Sequence, residues 1–306
     1  MDTLDDVFFS INFFFGCLFN IVAIVLVVKK RNESQNKYYT FMLFFQFDMA
    51  VISVVVLGYL KFHVYVFDDY IVVFLRPLSH PTSNDFLHTS LIGFSVFLMF
   101  FNISIPTGLI ATRFSIVCNN NGFNRNTTIK VLGFCITLTI LQAISITFPF
   151  NEHLQLDIII NVIKKYNIES NVLTESTAVL GRKISDSKFL SVFIVVPTYF
   201  TVNYFFIIYF VRKYKLYIKE HKDIISTQTE KINKEFMTIL IVQAFTPACL
   251  TGGPVVVIVI LIMIQKVHLI SFFINNVVHL ISFIPAVNGF LFIVLLPSNR
   301  KLILST

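Results

Sequence analysis

Residues 226–254 read STQTEKINKEFMTILIVQAFTPACLTGGP. The segment opens with charged residues and carries none from Phe236 to its end, so its second part is apolar enough to lie in lipid. One amide, Gln243, and two prolines, Pro247 and Pro254, interrupt the apolar part. A proline inside a helix removes a backbone hydrogen bond and bends the helix. The stretch therefore predicts a membrane-spanning helix with a polar extension at one end and a break in its middle.

The rest of the chain has the same apolar character. Hydrophobic residues make up 56% of the 306 residues, charged residues only 13%, and the mean hydropathy is +0.77. A soluble domain of this composition would leave much apolar surface in water, whereas a bilayer accepts that surface. The composition therefore predicts a membrane protein.

Seven uncharged or nearly uncharged runs are long enough to cross a hydrocarbon core of about 30 Å. They cover approximately residues 7–28, 39–60, 86–110, 131–150, 189–211, 236–264 and 267–296. None alternates as the strands of a membrane barrel do, and backbone groups in lipid are otherwise satisfied only within helices. We therefore predict an all-α fold, a bundle of seven transmembrane helices that forms one domain over residues 1–306.

The Lys and Arg residues that flank these runs predict the orientation of the bundle. With the N-terminus outside, sixteen lie on the cytoplasmic side and eight outside, and five of those eight fall in one long loop. Cytoplasmic loops carry an excess of Lys and Arg, so we predict an outer N-terminus and a cytoplasmic C-terminus. The glycosylation triplets that begin at Asn32, Asn102 and Asn126 do not fall on the predicted outer side, and an inverted molecule would expose two of them. The charge bias is the stronger physical signal, so we expect these triplets to be unused.

Ionisable groups inside the spans, which usually mark function in membrane proteins, are few. Asp48 is the only carboxylate well inside a predicted span, and His279 is the main candidate histidine. The last span has no lysine for a Schiff base, and the chain contains no HExxH, GxSxG or CxxC motif. We therefore expect no enzyme activity, no cofactor and no metal site. The net charge of +7 comes mainly from residues beside the spans, which indicates contact with the lipid bilayer rather than with nucleic acid.

A small, weakly polar ligand is compatible with aromatic residues in the outer halves of the spans, because such cavities bind by shape with few polar contacts. The predicted ligand-binding residues are Phe94, Phe97, Tyr199, Phe200 and His279. In the outer segment 151–188, residues 154–168 read LQLDIIINVIKKYNI, which suits either a short amphipathic helix or a β-hairpin lid.

The inner segment before the sixth span predicts where that helix begins. Thr227 and Glu230 have the spacing of a capping box, in which both side chains satisfy exposed amides at a helix start. The sixth helix is therefore expected to begin in the cytoplasm near Thr227. Residues 212–234, which carry seven Lys and Arg residues, form the predicted cytoplasmic cationic segment.

The TEKINKEF run that leads into FMTILIVQAFTP, the seven spans, and the LPSNRK end after the last span resemble nematode serpentine chemoreceptors of the Str superfamily, and among these the class H branch. The resemblance implies a G-protein-coupled receptor for an environmental chemical, located in the plasma membrane and on sensory cilia. Its implied partners are a small-molecule ligand and a heterotrimeric G protein. Gln243 and Pro247 match the helix 6 motif, Arg300 matches the terminal arginine, and Arg113 lies where many seven-helix receptors place an arginine at the inner end of helix 3.

The chain also departs from the receptor pattern. It has no acidic residue before Arg113, no tryptophan, no outer cysteine pair, and PAVNGF where rhodopsin-like receptors carry NPxxY, so the usual ionic lock is not implied. The predicted G-protein-facing residues are Arg113, Arg212, Lys213, Lys234 and Arg300. The predicted switch residues are Asp48, Gln243, Pro247 and Pro254. A ligand-gated channel of inverted topology and a small-solute transporter are the alternative functions.

Overall fold

The computed structural model describes the chain in ten stretches and three single residues. They are residues 2–29, 36–67, 70–75, 85–118, 124–150, 161, 164, 179–184, 186, 191–223, 226–264, 266–296 and 299–300. The helices are α1 (Asp2–Lys29), α2 (Lys37–Leu60), α3 (Asp85–Cys118), α4 (Arg125–Thr147), α5 (Val192–Glu220), α6 (Thr227–Pro247), α7 (Gly253–Met263) and α8 (Val267–Leu295). The strands are β1 (His63–Phe67), β2 (Tyr70–Phe74) and β3 (Val179–Lys183). A π-helix (Ala248–Gly252) joins α6 to α7, and a 3₁₀ turn (Phe148–Phe150) follows α4.

The described residues contain seven helical segments that are long and apolar enough to cross a membrane, which confirms the seven-span prediction. Six of them belong to α1, α2, α3, α4, α5 and α8, and the remaining one, the sixth span, runs through α6, the π-helix and α7. α2 ends at Leu60 as predicted and begins two residues earlier, whereas α1, α3, α4 and α5 extend five to nine residues beyond the prediction at one end. Residues 212–220 continue α5, and α6 begins at Thr227, so the predicted inner segment is largely helical.

Local signals explain where several of these helices begin and end. The Asn36 side chain accepts hydrogen bonds from the backbone N–H groups of Tyr38 and Tyr39 at 2.9 and 3.3 Å, which caps α2. Asn124 caps α4 in the same way, accepting from the N–H of Thr127 at 3.0 Å. At the other end of α2, Lys61 adopts a left-handed conformation (φ 42°, ψ 67°) and turns the chain into β1.

The all-α prediction is incomplete, because β1, β2 and β3 form an antiparallel sheet in that order. Val64 pairs with Val73 and Val66 with Ile71, so these four β-branched residues share one face of the hairpin. Strand β3 adds to the second edge of β2, where Gly181 pairs with Val72. The predicted helix or hairpin lid at residues 154–168 lies outside the described residues, apart from 161 and 164.

α3 is the most deeply buried span, and it packs against α2, α4, α5 and α6. α1 packs against α2 and α8, and its approach to α2 is close, because a Cβ added at Gly16 would lie 2.7 Å from a Val54 methyl. Two buried amides join α1 to α8: Asn12 donates to the Ser282 carbonyl at 2.9 Å, and Asn20 donates to the Pro285 carbonyl at 3.1 Å.

The bundle has two chemically different ends. We call the end that carries the three strands the sheet end, where Lys61 and Asp6 form a 2.6 Å ion pair between the end of α2 and α1. We call the opposite end the basic end, because Lys29, Arg125 and Lys234 lie there on the ends of α1, α4 and α6. One apolar cluster fills the bundle beneath the sheet, and a second fills it toward the basic end.

Candidate functional site

A half-open space of about 200 Å³, which we call the apolar cavity, lies beneath the sheet. Its described walls come from the hairpin and from five helices. The described lining residues are all apolar: Phe62, Val64, Ile71, Val73, Ile92, Val96, Met99, Phe100, Ile146, Val192, Val196, Pro197, Val255, Ile258, Ile274, Val277, Val278 and Ile281. Within the described part of the chain, the cavity therefore offers burial and shape, without a charged or hydrogen-bonding side chain.

A larger depression, of about 700 Å³, lies on the outer side of α5 between Phe205 and Leu216. It involves one helix only, and Phe205 and Leu216 are exposed by 64% and 55%. In a membrane its apolar part faces lipid tails, and Arg212, Lys213 and Lys215 line its part nearest the basic end. The apolar cavity is the better candidate for a ligand site, because several spans line it.

Tyr199, one of the predicted ligand-binding residues, is buried beside the cavity but is absent from its lining. Its hydroxyl donates to the Phe100 carbonyl at 2.6 Å and lies 2.5 Å from the Ser104 hydroxyl. These bonds join α5 to α3 in the middle of the bundle. Phe200, the next residue, packs partly buried against the same apolar cluster and also does not line the cavity.

The other three predicted ligand-binding residues lie elsewhere. Phe94 is 44% exposed on the outer side of α3, and its ring stacks on Phe97 with the centroids 6.4 Å apart. His279 is buried between α8 and α1, with ring centroids 4.6 Å from Phe8 and 5.2 Å from Phe9. The five predicted residues therefore do not form one site, and their role in ligand binding stays a prediction.

The residues that line the cavity are mostly aliphatic, and none of them is among the predicted ligand-binding residues. One signal for them is present at residues 63–74, HVYVFDDYIVVF, where β-branched and aromatic residues alternate around a short acidic turn. That pattern is typical of a hairpin with one apolar face. The lining positions on α3, α5, α7 and α8 carry no comparable signal, because Val and Ile face lipid as readily as they face a cavity.

The sixth span is interrupted in its middle, at the position that its two prolines predict. Pro247 closes α6 and has no N–H to donate to the Gln243 carbonyl, and the five-residue π-helix follows directly. At Gly252 and Gly253 an added Cβ would meet nothing within 4 Å, so the chain is loosely packed there. The Gln243 side chain is fully buried and donates to the Asn288 carbonyl of α8 at 2.7 Å.

Of the four predicted switch residues, three therefore lie in or beside this break, and Asp48 does not. Asp48 lies half-buried on α2, next to the buried Phe47. Among the residues that the structure describes, it forms no hydrogen bond or ion pair. Its role as a switch stays a prediction without a structural contact to support it.

At the basic end, Arg113 of α3 is held by neutral groups. Its guanidinium donates to the Asn233 side-chain oxygen of α6 at 2.6 Å. The guanidinium carbon lies 4.7 Å from the Phe236 ring centroid and 5.2 Å from that of Tyr39. We call these four residues the Arg113 cluster; it joins α2, α3 and α6 by one hydrogen bond and two cation–π contacts.

The other predicted G-protein-facing residues are exposed at the same end. Arg212 and Lys213 lie on α5, Lys234 lies on α6, and Arg300 follows the end of α8, where its N–H donates to the Leu296 carbonyl at 3.2 Å. The structure thus places all five of these cations at the basic end, although only Arg113 is inserted between helices.

Comparison with known proteins identifies a matching family and a similar fold. The family model described as "Serpentine type 7TM GPCR chemoreceptor Str" matches residues 5–304. The fold is similar to the crystal structure of squid rhodopsin, with a TM-score of 0.64 at 14% identity over 99% of this chain and 84% of that chain. At this identity the likeness shows the fold alone. No curated protein matches the chain by sequence.

Proposed function

The chain belongs to the Str family of serpentine seven-transmembrane GPCR chemoreceptors, and we propose that it detects a small, weakly polar environmental chemical and signals to a heterotrimeric G protein. Its seven spans make it a multi-pass membrane protein. We assign it to the plasma membrane and to the sensory cilium, where a receptor meets chemicals from outside.

In this proposal the sheet end faces the outside and the basic end faces the cytoplasm. The support is the distribution of Lys and Arg, sixteen of which lie on the proposed cytoplasmic side against eight on the other. A ligand would then reach the apolar cavity from the outer side. The exposed cations Arg212, Lys213, Lys234 and Arg300, together with Arg113, would face the G protein.

The observation that carries the proposal is the position of the sixth span. Beyond its break, Val255 and Ile258 of α7 line the apolar cavity. Before its break, Asn233 and Phe236 of α6 hold Arg113. One interrupted span therefore contacts both the candidate ligand site and the candidate G-protein surface, and a ligand that favours one packing of α7 would change the position of α6.

A small ligand can weaken the Arg113 cluster. A cation–π contact near the surface contributes about 0.5–1 kcal/mol and a hydrogen bond to a charged group about 1.5–3 kcal/mol, so the hydrogen bond and the two cation–π contacts together contribute about 2.5–5 kcal/mol. Allosteric coupling free energies are typically about 1–3 kcal/mol, which is enough to break one or two of these contacts. An ion pair in place of Asn233 would require a larger difference in ligand affinity between the two states.

The proposal can be tested without knowledge of the ligand. Phe236→Leu removes one ring from the Arg113 cluster, and Asn233→Leu removes its hydrogen bond, so both variants should free α6. A loss of about 1 kcal/mol shifts a two-state equilibrium about fivefold. We expect basal nucleotide exchange on purified heterotrimeric G proteins, measured with the receptor in lipid vesicles, to rise by that factor.

Phe245→Leu is the matched control, because Phe245 is on the same helix and 41% exposed. It should leave exchange unchanged. If neither the wild-type receptor nor the cluster variants accelerate exchange on any G-protein class, the proposal is wrong. Ion flux or solute uptake into the same vesicles would then support the channel or the transporter.

A further inference from the structure

We propose that the apolar cavity binds uncharged molecules of low polarity with about eight heavy atoms, which narrows the ligand class of the receptor. The biological role of such a ligand rests on the proposed function, whereas its chemical class is inferred from the cavity itself. It follows from three observations: the apolar lining, the hydrogen bonds that the neighbouring Tyr199 hydroxyl already forms, and the volume of the cavity.

The lining excludes charged ligands. The lining residues that the structure describes are aliphatic and aromatic side chains, Met99 and Pro197, and none of these can pair with an ion. An ammonium or carboxylate group that entered would lose its hydration without compensation, which is strongly unfavourable. Amines, acids and sugars are therefore poor ligands for this space.

The buried hydroxyl of Tyr199 does not change this conclusion. Tyr199 lies beside the lining residue Phe100, but its hydroxyl already donates to the Phe100 carbonyl at 2.6 Å. The same oxygen lies 2.5 Å from the Ser104 hydroxyl. A polar ligand would have to break these bonds, whereas an apolar ligand leaves them intact.

The volume limits the size of the ligand. An apolar cavity of roughly 150 Å³ stays dry and accommodates benzene, which has six heavy atoms. By the same ratio, the 200 Å³ cavity accommodates about eight heavy atoms. Each added methylene should tighten binding about fourfold until the cavity is full, and longer molecules should bind more weakly.

The test uses the purified full-length receptor in lipid nanodiscs, with fluorobenzene as the probe and fluorine NMR as the readout. Empty nanodiscs give the background from partition into lipid. Val277→Phe adds a large side chain at the cavity wall, and Val294→Phe makes the same change at a position that is 38% exposed on the same helix. Ile258→Ala enlarges the cavity, and Ile260→Ala, at a position 51% exposed on α7, is its control.

We expect saturable fluorobenzene binding by the wild type, Val294→Phe and Ile260→Ala, and at least tenfold weaker binding by Val277→Phe. Toluene should compete with the probe, whereas benzylammonium and benzoate should not. Butylbenzene should compete only in Ile258→Ala. This gain of binding keeps the test decisive if Val277→Phe fails to fold.

The inference is overturned if wild-type binding does not exceed lipid partition, if Val277→Phe folds and binds normally, or if the charged analogues compete as well as toluene. Nucleotide exchange is measured separately on the same samples. Cavity binding without any effect on G proteins contradicts the proposed function and leaves the cavity assignment intact. Signalling by a ligand that Val277→Phe does not affect contradicts the cavity assignment alone.

Discussion

Arg113 carries a positive charge into the basic end and is held there by an amide oxygen and two aromatic rings. These partners leave the charge unneutralised, so the guanidinium keeps its attraction for an acidic or carbonyl-bearing partner. A planar guanidinium stacks on rings in a way that the ammonium of lysine does not. In the proposed function, the cluster therefore restrains α6 while it keeps a cation available to the G protein.

Arg113→Ala should lower evoked nucleotide exchange about tenfold, as expected when one charged contact of an interface is lost. This decrease is opposite in direction to the rise in basal exchange expected for Phe236→Leu, although both substitutions disrupt the Arg113 cluster. Ligand binding and surface expression should stay close to wild type. Equal exchange at matched expression would remove Arg113 from the G-protein surface.

A substitution at Tyr199 distinguishes a structural role of this residue from a role in ligand binding. Tyr199→Phe removes a buried hydroxyl that joins α5 to α3, and a hydrogen bond of this kind is worth about 1 kcal/mol in a membrane. Denaturant unfolding in nanodiscs should show a corresponding loss in the free energy of unfolding, while the affinity for fluorobenzene stays unchanged. Tyr209→Phe, at a position 45% exposed on α5, is the control. Lost probe binding at unchanged stability would instead make Tyr199 a ligand contact.

At the scale of elements, the sequence predicts where the sixth span is interrupted, but it does not predict that the interruption is a π-helix. Pro247 requires a missing hydrogen bond, and the Gly252-Gly253-Pro254 run predicts a weak next turn. The π-helical form depends on packing around the span, including the bond from Gln243 to α8, which the sequence does not show. In the proposed function, this bent span moves between two packings when a ligand binds.

Pro247→Ala restores an N–H that can donate to the Gln243 carbonyl, so it should favour a straight helix. We expect an altered basal or ligand-evoked exchange at normal surface expression. Pro106→Ala removes a proline from α3, where no π-helix follows, and should leave the exchange curve closer to wild type. Identical exchange curves for Pro247→Ala and wild type would show that the break is only structural.

At the scale of the whole molecule, the seven spans are predictable because lipid requires long apolar helices, and the structure confirms them. The sheet and the apolar cavity are not predicted, since they depend on which of many Val and Ile residues face inward. Phe94 shows the difficulty: it belongs to the aromatic set expected to bind ligand, yet 44% of it is exposed on the outer side of α3. The role of Arg113 at the G-protein surface stays a prediction, and its contacts with Asn233, Phe236 and Tyr39 are not predicted from the sequence.

The proposed orientation gives a direct prediction. The distribution of Lys and Arg favours an outer N-terminus, so an epitope tag placed before Val7 should be stained on intact cells. A tag after residue 306 should be stained only after permeabilisation. The reverse pattern, on cells with confirmed surface receptor, would place the sheet end in the cytoplasm and contradict the proposed ligand path.

The central claim is that the sixth span moves at the basic end when the receptor couples to its G protein. Spin labels at Ile129→Cys on α4 and Ile232→Cys on α6, which replace side chains that are 57% and 44% exposed, report that movement by double electron–electron resonance. The background replaces Cys17, Cys118 and Cys249 by alanine, because these thiols are not fully buried. We predict that the nucleotide-free G-protein complex lengthens the distance by about 2 Å or more, and that Pro247→Ala reduces the change. An unchanged distance in a complex that exchanges nucleotide normally would contradict the claim.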